Sequence, residues 1–148
     1  MAATVVEETW GPADVQAKEA GADFSAAKGK IVVLSTTVVG RVALAADADS
    51  ATLPLFGICI ENAVSTATSG NIVGIVPITS GKACKVLCDG SGTAVDEGLL
   101  ITTNASGIGI VTSTAGDGLV GIAQTATANA SAMCIVQLNG GVAHSTSD

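Results

Sequence analysis

Gly29-Lys30-Ile31-Val32-Val33-Leu34 is a glycine followed by a run of β-formers, and it returns as Gly98-Leu99-Leu100-Ile101 in the second half of the chain. The later segments of each copy return as well. Val42-Ala43-Leu44-Ala45 is echoed by Gly109-Ile110-Val111, and Leu55-Phe56-Gly57-Ile58-Cys59-Ile60 by Leu119-Val120-Gly121-Ile122-Ala123. Ile72-Val73-Gly74-Ile75-Val76 is echoed by Met133-Cys134-Ile135-Val136-Gln137-Leu138. Short Val/Ile-rich runs punctuated by glycine and repeated along one chain are the pattern of a duplicated all-β scaffold. The two copies, residues 29–76 and 98–138, predict that Gly57 and Gly121 occupy equivalent places, each after a Leu-Phe or Leu-Val pair.

Outward from this echo, strands are predicted at 31–34, 38–45, 55–60, 72–78, 83–88, 99–102, 108–111, 119–124 and 133–138. Ser80-Gly81-Lys82, Asp89-Gly90-Ser91-Gly92 and Asn104-Ala105-Ser106-Gly107 lie between them as turns. The body, residues 22–138, therefore reads as a compact antiparallel β-sandwich or barrel with an internal pseudo-repeat. An N-terminal arm, residues 1–21, precedes it, and residues 139–148 form a polar tail. Within the arm, Pro12 and Gly21 bracket Ala13 to Ala20 as a helix of about two turns.

Composition narrows the function. The net charge is −7 with 6 Lys+Arg, so there is no basic stripe to neutralise phosphates, and nucleic acid is not the expected partner. Hydrophobic residues make up 48% of the chain, yet no apolar run approaches the ~18 residues of a membrane span. Glu7 and Glu8 stand where a secretory leader carries positive charge, so synthesis in the cytoplasm is expected. Only 13% of residues are charged, which leaves an isolated subunit with a bland Ala/Val/Thr/Ser surface and predicts burial of part of it in an oligomer or larger assembly.

No motif carries a reaction. Asp47-Ala48-Asp49 begins like a calcium loop, but Thr52 and Ile58 stand where its turn glycine and bidentate acid belong. Gly74 and Gly81-Lys82 are too far apart for a phosphate loop. The acidic pairs Glu7-Glu8 and Asp96-Glu97 lack aromatic sugar platforms, and the single imidazole, His144, lies in the tail. Cys84 and Cys88 alternate onto one strand face together with Val86, so they read as small buried core residues, with Cys59 and Cys134 also free thiols. Neither an enzyme, nor a metal site, nor a bound cofactor is expected.

Ala22-Asp23-Phe24-Ser25-Ala26-Ala27, then Gly29 to Leu34, then Leu53-Pro54-Leu55-Phe56-Gly57-Ile58, resembles the opening of the head decoration, or capsid cement, proteins of tailed bacteriophages. Ser69 to Val76, Asp96-Glu97-Gly98-Leu99-Leu100-Ile101 and Val120-Gly121-Ile122-Ala123 continue the likeness, which spans about Ala22 to Leu138. The resemblance implies a β-rich virion subunit on the outer capsid surface, a homotrimer that clamps neighbouring major capsid protein subunits after the shell expands. On that reading the contact with the shell falls to the arm. Thr4, Val5 and Val6 are its β-like run, and Trp10, the only Trp, precedes a Gly11-Pro12 break. The competing expectation is a β-rich tail or surface module that recognises a glycan or host receptor.

Overall fold

The computed structural model describes residues 14–46, 54–66, 70–112, 114 and 116–139. Among the described residues ten strands run β1 (Gln16–Ala20), β2 (Ile31–Leu34), β3 (Arg41–Leu44), β4 (Leu55–Cys59), β5 (Ile72–Pro77), β6 (Ala83–Cys88), β7 (Leu100–Thr103), β8 (Gly109–Val111), β9 (Gly121–Ala123) and β10 (Ala132–Leu138). A 3₁₀ turn at Ile78–Ser80 joins β5 to β6. The strands close into two five-stranded barrels, in the order β1-β3-β2-β4-β5 and β10-β6-β8-β7-β9. The fold is all-β, as the sequence predicts.

The barrels are the same object built twice. Taking β1 to β5 onto β6 to β10 in order, every pairing has its twin, including the direction of each. Val32 pairs with Gly57, which pairs with Pro77; Ile101 pairs with Gly121, which pairs with Leu138. Gly57 and Gly121 are therefore equivalent. The correspondence reaches single hydrogen bonds. Gly21 N–H donates to Val42 C=O as Asp89 N–H does to Gly109 C=O, both at 2.8 Å. Gly29 N–H donates to Cys59 C=O at 2.7 Å as Gly98 N–H does to Ala123 C=O at 2.8 Å. Gly29 and Gly98 enter their strands at φ of 82° and 87°, the left-handed region that only glycine occupies cheaply.

Two expectations are corrected. Residues 16–20 form β1, not part of a helix, and complete the first barrel by pairing Gln16 with Ile75 and Glu19 with Ile72. Gln, Ala, Lys and Glu favour helix, but a two-turn helix is marginal by itself and the barrel offers a full ladder. Nor is the sheet purely antiparallel: β1 runs parallel to β3 and β6 to β8. Parity requires this. Around a closed ring of five strands directions cannot alternate throughout, so at least one neighbouring pair must be parallel.

Inward faces fill each barrel. Ala20, Val32, Val42, Cys59, Val73 and Ile75, drawn from all five strands, form one buried cluster with Phe24, which is wholly inaccessible. Successive strand residues face opposite ways. Thus Ile31, Ile58 and Val76 face outward from the first barrel, where they join a second cluster that includes Val86, Ile101 and Val136 of the second barrel. The body is two barrels on a shared core.

Candidate functional site

Four elements meet at one end of the first barrel. Gln16 at the start of β1 pairs with Ile75 near the end of β5; Pro77 pairs with Gly57 near the start of β4; Leu55 pairs with Val33 near the end of β2. The segment preceding β1 therefore joins the barrel at the end that carries the β2–β3 hairpin. Thr4, Val5, Val6 and Trp10, the predicted contact residues, lie outside the described residues.

The hairpin is ordered by its own side chains. Ser35 Oγ accepts the N–H groups of Thr37 (3.3 Å) and Val38 (3.1 Å), a local cap of the kind that holds tight turns. This lifts Val39 into solvent at 99% exposure, with Val38 and Leu34 also open. From Leu34 to its partner Val42 the connection is two residues longer than from Thr103 to its partner Gly109 in the second barrel. There Asn104 Oδ1 caps the shorter turn by accepting from Ser106 N–H (2.8 Å) and Ile108 N–H (3.1 Å).

Beside the longer hairpin lies a half-open, mainly apolar groove of about 270 Å³, lined by Leu34, Ser35, Thr36, Pro54, Leu55 and Phe56. Lys18 Nζ sits 5.5 Å from the centre of the Phe56 ring, a cation over an aromatic face at the groove's margin. The groove offers apolar walls and one positive charge, which suits a protein side chain better than a polar metabolite. Sequence reasoning missed it, because its walls come from segments about twenty residues apart whose only shared signal is apolarity.

The cysteines are placed as predicted. Cys84, Val86 and Cys88 are all fully buried and share one face of β6; Cys134, opposite Val86 on β10, is buried too, and all four cysteines are free. Burial, and then the neighbouring Cys134, pushes the Cys88 thiol far above the ordinary value of 9.0. Burial raises Cys59 as well, while its Sγ donates to Glu61 C=O at 3.0 Å. Such thiols are poor nucleophiles. The folded protein is expected to resist iodoacetamide at pH 8 at these four positions and to take up all four labels once denatured, as read by intact mass. A thiol whose folded pKa is raised contributes stability that is complete below about pH 9 and is lost as the pH climbs above it. Cys88→Ala should flatten part of that alkaline fall in melting temperature.

Elsewhere the polar groups serve the fold. Asp23 and Asp89 accept the N–H of Ser25 and of Ser91, both at 2.9 Å, and their hydrogen bonds from those serines hold both carboxyls below the usual range. The buried Thr112 hydroxyl donates to Asp117, and Thr102 Oγ1 donates to Gly118 C=O at 2.6 Å. Asp96 and Glu97 are exposed at the turn into β7, where Asp96 C=O accepts from Leu99 N–H at 3.2 Å. Asp47 and Asp49 lie outside the described residues. Among the described residues no three His, Cys, Asp or Glu side chains gather as a metal site would require. No family model matches the chain, and no curated protein matches it.

Proposed function

We propose that the protein is a structural subunit of a bacteriophage virion, a decoration protein that binds the outer surface of the capsid as a homotrimer and stabilises the expanded head by bridging major capsid protein subunits. The observation that carries this reading is the clustering, at one end of the first barrel, of the apolar groove, the solvent-lifted Val38 and Val39, and the point where the N-terminal segment joins β1. Exposed apolar groups gathered on one rim mark a protein contact. The duplicated β body and the sequence likeness from Ala22 to Leu138 support the same assignment.

A subunit that binds only the assembled shell stabilises it by mass action, because every bound copy must leave before the shell opens. The arm bearing Thr4, Val5, Val6 and Trp10 supplies the grip, with the groove end as its base. Deleting Met1–Trp10 should leave the β body folded, weaken attachment at least ~10-fold, and lower the temperature at which filled heads burst; loss of one Trp anchor alone is commonly worth ~2 kcal/mol. Phage heads lacking decoration, mixed with either form and scored by electron microscopy, provide the measurement. Unchanged occupancy by the truncated protein would remove the arm from the contact, and no binding by the intact chain to any undecorated head would remove the reading itself.

A further inference from the structure

The second barrel is held less tightly shut than the first, and a piece of the first barrel enters the opening. Between β6 and β8 the ladder has a single pair, Cys88 with Gly109. Beyond it, Leu87 N–H donates to Gly29 C=O at 2.7 Å, and Ile31 N–H donates to Gly107 C=O at 2.8 Å. Residues 29–31 are thus a tongue, bonded backbone to backbone in a slot between two parallel strands of the next barrel, the bonding pattern of strand addition. The sheet face behind the tongue is Ile31, Ile58 and Val76, cross-strand neighbours that are all fully buried.

Each barrel carries both parts, because each residue has its twin. The second barrel's tongue is Gly98-Leu99-Leu100, and the face behind it is Leu100, Ile122 and Gln137, cross-strand neighbours in the same order. All three are only half-buried, where their twins are completely covered. The first barrel's slot lies between Glu19 and Gly40, the twins of Leu87 and Gly107. Its rim carries Ile72 at 60% exposure, the twin of Met133, whose side chain crowds Gly29 in the filled slot. The internal contact is heterologous, tongue of one barrel into slot of the next, so it consumes one of each and leaves one of each unused.

We propose that the unused tongue, Gly98–Leu100, enters the unused slot at Glu19 and Gly40 of a second copy of this chain, so that copies join head to tail by repeating the contact already made between the two barrels. This deepens the self-association within the proposed function and does not depend on what the shell is. The first barrel's slot is fastened by one further rung, Glu19 with Arg41, and by the ion pair of Arg41 Nη2 with Glu19 Oε1 at 2.8 Å. In the filled slot that rung is absent, and Leu87 and Ile108 replace the charges. The rung is a clasp, a half-buried ion pair in which Glu19 Oε1 also accepts from Gly70 N–H at 2.8 Å; it opens to admit a tongue, and while shut it blunts an edge that would otherwise invite unspecific pairing.

The test uses the full chain and two substitutions, Leu100→Glu at the half-buried tongue and Ile72→Glu at the exposed rim of the slot, with Leu100→Ser and Ile72→Ser in reserve should circular dichroism show a glutamate variant unfolded. Sedimentation of the parent chain should give an assembly of more than two copies. Each variant alone should be monomeric. Their equimolar mixture should give a one-to-one heterodimer and nothing larger, since the intact tongue of one enters the intact slot of the other and leaves ruined parts at both ends. A mixture that stays monomeric, or an oligomer that both variants leave unchanged, overturns the tongue-and-slot contact while self-association stands. An oligomer lost on deleting Met1–Trp10 but kept by Leu100→Glu gives the slot to the arm and likewise overturns it. A parent chain that is monomeric at every concentration overturns the contact together with the proposed oligomer.

Discussion

Gly121→Val and Gly57→Val should each abolish or nearly abolish the folded state, while Gly92→Ala should be silent. A Cβ on Gly121 would stand 2.0 Å from Gln137 O and 2.8 Å from Gln137 C; one on Gly57 would stand 2.5 Å from both Val76 O and Ile75 Cγ2. Gln137 and Val76 are twins, so the two barrels share one constraint: β4 lies so close to β5, and β9 to β10, that no side chain fits between them. The obstacle in both cases is backbone, which cannot rotate away as a side-chain tip can. Overpacking typically costs ~1–3 kcal/mol, and these sites belong at or beyond the top of that range, a large share of the ~5–15 kcal/mol that holds a domain together. At Gly92 nothing lies within 4 Å, and a change there should stay within about 0.5 kcal/mol. Urea melts of the purified variants check all three. A Gly121→Val protein with the parent's midpoint would show that β9 and β10 are farther apart than described.

The echo is legible because the constraints that produce it act on residue type. A strand start at positive φ requires Gly29 and Gly98, and a backbone approach without room for Cβ requires Gly57 and Gly121. The predicted strands 31–34 and 83–88 match β2 and β6 to the residue, and the shared inward face of Cys84, Val86 and Cys88 comes from alternation alone. The residues of β1 hide theirs. Gln16-Ala17-Lys18-Glu19-Ala20 has no β-branched residue, and its inward positions are filled by an alanine and by a lysine whose ammonium reaches the Phe56 ring. Without β1, two equal barrels read as an arm and a shortened repeat, and the parallel closure that a five-stranded ring demands is hidden. The tongue and slot are backbone hydrogen bonds, which any residue can make, so no letter of the sequence marks them. Of the site, the sequence names Thr4, Val5, Val6 and Trp10, which lie outside the described residues, and the groove comes from the fold.

Gly109→Val should destabilise the second barrel strongly, and Cys88→Ala in the same chain should restore much of the loss. The parallel rung that closes the first barrel is Ala20 opposite Val42; its twin is Cys88 opposite Gly109. One barrel places the larger side chain on the third strand, the other on the first, so the same space is filled from opposite sides. A Cβ on Gly109 would meet Cys88 Sγ at 2.9 Å, Ile101 Cγ2 at 3.0 Å and Val86 Cγ1 at 3.3 Å, with no backbone atom among these three nearest neighbours. The clash of Gly109→Val is therefore with side chains, and the closest is the thiol that Cys88→Ala removes. Alone, Gly109→Val should cost ~2–3 kcal/mol by overpacking, and Cys88→Ala ~1 kcal/mol through lost buried volume. Together they reproduce the Ala/Val rung that already works in the first barrel, so the pair should cost less than Gly109→Val alone, which requires a favourable coupling larger than the cost of Cys88→Ala itself, ~2–3 kcal/mol for residues in contact. The reverse exchange, Ala20→Cys with Val42→Gly, should show the same sign. Denaturation midpoints for the two singles and the double complete the cycle, and strict additivity would mean that the two rungs are not alternative solutions to one packing problem.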